Sequence, residues 1–114
     1  MLKGLGNLGD MAKMMKAAKE MQSRVEQLQQ DLETIMVTGE SGAGLVKATS
    51  TAKGVLTGLD IDPSIFNPDE KEVVEDLILA AIKDAQSKAA EKSQSEMEKL
   101  TAEIGLPADF KMPF

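Results

Sequence analysis

The sequence predicts an α+β fold in which a long helix, three short antiparallel strands and a second long helix follow one another. Met11, Ala18, Val25 and Leu32 recur every seven residues, with Met14, Met21 and Leu28 offset by three, and this three-four apolar seam marks the first helix. Gly39, Gly42 and Gly44 sit between two runs of strand-forming residues in the segment Val37 to Lys47, which marks a hairpin. Asn67-Pro68-Asp69-Glu70 then opens a stretch free of further Pro or Gly as far as Ile104, which marks the second helix.

Taken in order, residues 1–9 read as a flexible glycine-rich lead, and the first helix spans 10–32 with Asp10 as its N-cap. Counting Met11 as heptad position a, Lys13, Lys16 and Lys19 fall at c, f and b, away from the seam. The sheet occupies 33–62: Ile35 to Thr38, then Leu45 to Thr51, then Val55 to Asp62 after a turn at Lys53-Gly54, with Val55, Leu59 and Ile61 on one face. A connection at 63–67 leads into the last helix at 68–104, followed by a tail at 105–114. Val73, Val74, Leu77, Ile78, Ala81, Ile82 and Ala85 suit packing on the sheet. From Gln86 to Glu96 only Ala89 and Ala90 are apolar, so this part is expected to project as an arm. Met97, Leu100 and Ile104 restore an apolar stripe, placed against the N-terminal part of the first helix.

A first helix of this length runs about 34 Å, whereas three strands about 4.8 Å apart cover far less. The helices therefore overrun the sheet, and a small sheet with open edges is expected to be completed by a second copy, as a homodimer.

Composition removes most chemistry. The 114 residues make a single domain with no Cys, no His, no Trp and no Tyr, so thiolate nucleophiles, imidazole metal sites and Ser-His-Asp triads are all excluded. No stretch approaches a membrane span, no cofactor or small-molecule substrate is expected, and a cytoplasmic protein is expected. A formal net charge of -6 opposes a polyanionic partner, but the charge is uneven. Residues 1–24 carry five basic side chains against two acids, and residues 60–76 carry seven acids against Lys71.

The glycine segment admits a second reading, a phosphate cradle, because Gly39 and Gly44 have the spacing of a P-loop. Leu45 and Val46 stand where that loop needs Lys and Ser or Thr, and a strand follows where a phosphate loop opens a helix. Asp60 and Asp62, two apart on a strand and so on one face, suit a hard cation, and a polar, solvated strand end before Pro63 explains them as well.

The hairpin Val37 to Lys47, the strand end Ile61-Asp62-Pro63-Ser64, the Glu75-Asp76-Leu77 segment and the tail Phe110-Lys111-Met112-Pro113-Phe114 together resemble the YbaB/EbfC nucleoid-associated proteins. The resemblance covers nearly the whole chain. It implies an α-β-β-β-α protomer in a tight homodimer whose first and last helices project like tweezers, located in the cytoplasm on the nucleoid. It implies binding of double-stranded DNA with weak sequence preference, and an influence on nucleoid organisation and gene expression. Carried onto this chain, the DNA-contacting candidates are Lys13, Lys16, Lys19 and Arg24 on the first helix and Lys88, Lys92 and Lys99 on the last. Val37, Leu45, Val46, Leu59 and Ile61 are the sheet positions expected to serve dimerisation. With one Arg in the chain, phosphate contacts should dominate over base readout.

A different class remains open, a dimeric scaffold that clamps a protein partner. Its adaptable surface would be Met11, Met14, Met15, Met21 and Met97.

Overall fold

Strand β1 (Met36–Ser41) is crossed by a long helix at a distance that leaves no room for a side chain, and the rest of the architecture is arranged around that crossing. In a computed structural model describing residues 2–103, with side chains from Gly9 onward, α1 spans Leu2–Leu32. It is followed by β1, β2 (Val46–Thr51), β3 (Leu56–Ile61) and α2 (Lys71–Glu103). Short 3-10 turns fill Gly42–Gly44, Pro63–Ile65 and Pro68–Glu70. Ile104 and the expected tail at 105–114 lie outside the described residues.

The sheet is antiparallel in the order β1-β2-β3, and β2, between its two partners, provides its most buried residues. Ser41 pairs with Val46, Gly39 with Ala48 and Val37 with Ser50, so these six residues share the face that α2 covers. On that face Val46, Ala48, Ala81 and Ala85 are buried, and Ile61, Ile65, Leu77, Ile78 and Ile82 pack around them. A second cluster, Leu28, Leu32, Ala52 and Leu100 with Val25, Ile35 and Met97, joins the C-terminal end of α1 to that of α2.

Gly39 decides how close α2 can lie. A Cβ built there would sit 2.1 Å from the Ala85 backbone nitrogen and 2.7 Å from the Ala81 carbonyl oxygen. It therefore belongs to the strand as a contact point, rather than to the turn in which the sequence grouped it. The turn itself uses Gly42 (φ 58) and Gly44 (φ 91), with Ala43 also at φ 55, before β2 begins. A strand follows where a phosphate loop would open a helix.

Two side-chain contacts pin the helix to the strand. The Ser41 hydroxyl donates to the Leu77 carbonyl, and the Glu40 N–H donates to Asp84 Oδ2 at 2.9 Å. Asp84 thus takes a donor from an edge strand that would otherwise be open to another chain. That N–H, and then Lys88, hold the Asp84 carboxyl below the ordinary 3.8 of an aspartate. Asp62 is lowered similarly by the Ser64 N–H it accepts at 2.8 Å before Pro63.

Several sequence expectations need correction. The expected lead at 1–9 is helical from Leu2, and Asp10 is an interior residue of α1 rather than its N-cap. Extending an existing helix needs no new nucleus, so the ~1 kcal/mol cost of each of Gly4, Gly6 and Gly9 does not end it. The first strand runs on through Gly39 to Ser41 rather than ending at Thr38. A register shift at Thr49/Ser50 pairs Leu56 with Ser50 and leaves Val55 outside β3. The polar half of α2 is not wholly solvent-facing, because Ala89 is buried. Met97 and Leu100 meet the C-terminal part of α1, not the N-terminal part, because the first half of α2 is seated on the sheet and the two antiparallel helices overlap only near their C-terminal ends.

Adding a Cβ at position 39 must push α2 off the sheet, so Gly39→Ala is expected to destabilise by about 3 kcal/mol or more, a fall in Tm of about 12 °C or more. Gly58→Ala, whose Cβ would meet Thr49 at an ordinary 3.8 Å, is the control and should change Tm little. Equal melting temperatures for the two variants would remove the crossing from its central place. For acid stability the sign follows from the lowered carboxyls. Their contribution is complete above the unfolded aspartate value and is lost as pH falls through the lower folded value. Thermal melts from about pH 6 to about pH 3 should show a steep loss of Tm in the parent chain and a shallower one in Asp84→Asn.

Candidate nucleic-acid interface

The basic residues singled out from the sequence fall into two sets with different surroundings. Helix α2 is described as far as Glu103, level with Arg24, whose Nη1 meets Glu103 Oε2 at 3.2 Å. From Arg24 back to Leu2, α1 continues alone among the described residues for about 33 Å. Every residue from Gly9 to Glu20 is exposed.

On this projecting segment Lys13, Lys16 and Lys19 rise over about 9 Å of helix axis and fan across a sector of about 120°. Among the described residues none of the three forms an ion pair. The apolar seam lies about 170° round the helix from the centre of that sector. The segment is thus two-sided, with ammonium groups on one side and Met11, Met14 and Ala18 on the other.

Lys88, Lys92 and Lys99 fall within about 40° of one another round α2, but each is engaged. Lys88 meets Asp84 at 3.1 Å, Lys92 meets Glu96 at 3.2 Å and Lys99 meets the same Glu96 at 3.3 Å. Hydrogen bonds from Lys92 and then Lys99 hold the Glu96 carboxyl below its ordinary 4.5. Such exposed pairs are weak in water and screened by salt, so they do not lock the lysines away. They do cancel charge. Helix α2 carries five lysines against eight acids, whereas residues 10–24 of α1 carry four basic groups against two acids. The groove between the helices, about 260 Å³, presents Asp31, Glu96 and Glu103 against Arg24 and Lys99, so it is no anion cradle.

The sequence reading passed over Lys47 and Lys83, which are exposed and without an ion pair among the described residues. Lys47 stands between Glu40 and Asp60 in the strand register, which offsets its charge. No pattern in the chain distinguished either from an ordinary surface lysine.

The sheet positions also divide. Val46 is fully buried beneath α2 and is a core residue of this chain, closed to any second one. Val37, Leu45 and Ile61 are half-buried. Leu59, paired with Ala48 on the helix side of β3, remains 48 % exposed, because α2 covers β1 and β2 but not β3. Beside the entry to α2, Phe66, Pro68 and Val74 line an apolar hollow of about 340 Å³. No helix among the described residues is long and apolar enough to cross a membrane.

Comparison with known proteins gives this architecture a family. A nucleoid-associated protein of Agrobacterium fabrum is 46% identical over 105 residues, covering 92% of this chain and 98% of that protein. A nucleoid-associated protein of Bartonella tribocorum is 40% identical over the same shares of each chain. The fold is also that of an uncharacterized protein of Helicobacter pylori known from a crystal structure, with a TM-score of 0.66 at 22% identity, covering 76% of this chain and 91% of that one. The model of the YbaB/EbfC DNA-binding family matches residues 7–104, and the chain belongs to that family.

Proposed function

We propose that the chain binds double-stranded DNA as a nucleoid-associated homodimer, through phosphate contacts made mainly by Lys13, Lys16 and Lys19, with weak sequence preference. The observation that carries this reading is the contrast between three exposed lysines on a projecting helix, without ion pairs among the described residues, and three α2 lysines tied to Asp84 and Glu96. The names of the family and of the relatives support DNA as the partner and the cytoplasmic nucleoid as the place.

Duplex DNA carries one phosphate per about 1.7 Å of axis, so three ammonium groups spread over about 9 Å each find a phosphate without a specific base sequence. Discrimination between bases asks for bidentate donors at groove edges. The single Arg24 is already engaged with Glu103, which favours backbone contacts over readout. Arg24, Lys88, Lys92 and Lys99 serve as an outer set, recruited when their carboxylate partners are displaced.

Dimerisation is supported by apolar surface that one chain leaves uncovered: Leu56 and Leu59 on the edge strand β3, and Phe66, Val73 and Leu79 near it in the chain or on α2. Two copies would also double the number of phosphate contacts per particle. The exposed Met11, Met14 and Met15 favour a second reading, in which the arms clamp a protein partner and DNA association is weak.

Duplex affinity measured across a salt series separates the two. Direct phosphate binding predicts that log affinity falls linearly with log salt, and that the triple variant Lys13→Glu, Lys16→Glu, Lys19→Glu reduces the slope by about 2.7 per protomer. Lys88→Gln, Lys92→Gln, Lys99→Gln should reduce it less. An unchanged slope in the α1 variant would retire those lysines, and absence of binding at low salt would favour the clamp. Light scattering on a sizing column should give twice the 12.2 kDa chain mass at micromolar concentration, and a 12.2 kDa particle would refute the dimer.

A further inference from the structure

Among the described residues Glu96 differs from every other ion-paired carboxylate in what it holds. Lys92 Nζ at 3.2 Å and Lys99 Nζ at 3.3 Å converge on one of its oxygens, Oε1. Glu33, Glu75, Asp84 and Glu103 each meet a single basic group. Asp84 also accepts the Glu40 N–H and so fastens α2 to β1, whereas the described residues give Glu96 no partner beyond its two lysines. The Glu96 side chain is 21% exposed, the least of any in these pairs. Helix support accounts poorly for the arrangement, because the Lys92–Glu96 pair has its basic residue first, the weaker order for stabilising a helix.

We propose that Glu96 is an autoinhibitory carboxylate: it occupies the place that a phosphate of a polyanion would take between Lys92 and Lys99, and so withholds both lysines from binding. That the polyanion is duplex DNA rests on the function proposed above, whereas the covering of the lysine pair does not. Two ammonium groups converging on one carboxylate oxygen make the charge-assisted contact that a phosphate oxygen accepts equally well. Such a pair is weak in water, and a phosphate can displace it. The displaced carboxylate stays tethered between positions 92 and 99, within a few ångströms of the incoming phosphate, and like charges at that range repel. Inhibition thus comes from the tethered charge and not from the strength of the pair. Hydrogen bonds from the two lysines hold the carboxyl below its ordinary 4.5, so it remains ionised at neutral pH. The surroundings sharpen the effect. Glu96 and Lys99 line the groove between the helices together with Arg24, Asp31 and Glu103. With Lys92 this region holds three basic groups against three carboxylates, so neutralising Glu96 alone makes its balance positive.

The test is a gain of binding. Duplex DNA is titrated across a salt series with the parent chain, Glu96→Gln, Glu91→Gln, and Glu96→Gln combined with Lys92→Gln and Lys99→Gln. Glu91 is an exposed acid of the same helix without an ion pair among the described residues, so it controls for loss of one negative charge. Glu96→Gln should tighten binding roughly threefold to tenfold at low salt. It should also steepen the fall of log affinity with log salt by up to about 1.8 per protomer, the contribution of two released lysines. Glu91→Gln should leave the slope unchanged, and the combined variant should lose the gain. A Glu96→Gln chain no tighter than Glu91→Gln, or a gain that survives removal of both lysines, would overturn the proposal. Elution from immobilised heparin, a sulfated polyanion, reads the same lysine pair without duplex DNA. If no chain binds duplex at low salt, the DNA reading fails, and later elution of Glu96→Gln than of Glu91→Gln still upholds the role of Glu96. Equal elution of those two overturns it.

Discussion

The close crossing of α2 over β1 at Gly39 is the constraint on which the remaining structure depends. Ala81 and Ala85 lie over the strand and Gly39 lies beneath them, so backbone meets backbone. Small residues on both sides bring the helix near enough for Ser41 and the Glu40 N–H to hydrogen-bond to it. They also leave Val46 and Ala48 sealed without any large aromatic residue. A core of this kind gains little from each side chain and much from the tightness of the fit, since apolar stabilisation scales with area removed from water and dispersion falls steeply with separation. The direction of α2 is fixed at the same place. Once it is seated on β1 and β2, its second half is aimed past the sheet, alongside the end of α1.

Much of this was legible in the residues. The heptad seam located α1, the hairpin glycines located the β1–β2 turn, and Asn67-Pro68 located the start of the second helical region, where Asn67 accepts from the Asp69 N–H. What was not legible depended on distance between segments far apart in sequence. Gly39 looked like one more turn glycine, because its reason for being glycine is a helix more than forty residues away. The lead at 1–9 looked like a loop because glycine is a poor helix former, although a helix already nucleated can run through several of them. The basic candidates were visible as residue types, but their partners were not. Nothing in the spacing of Lys92, Glu96 and Lys99 says that one carboxylate serves both lysines.

Charge and shape are separated along the molecule. The acids of the connection and of α2 lie at and beyond the sheet, while the excess of positive charge lies on the part of α1 that outruns α2. Exposed charges farther apart than about 8 Å are largely screened at physiological salt. A net charge of -6 for the whole chain is therefore a poor guide to what the arm attracts, and the local balance matters more. The family assignment and this local balance point the same way.

The stretch of α1 that stands alone among the described residues has a mechanical meaning as well. Over about 33 Å of continuous helix, small angles become large travel: a difference of about 10° in its direction at Arg24 moves the far end by about 6 Å. The position of the lysines is therefore set from a distance, by the angle at which Leu28 and Leu32 seat the helix against Leu100.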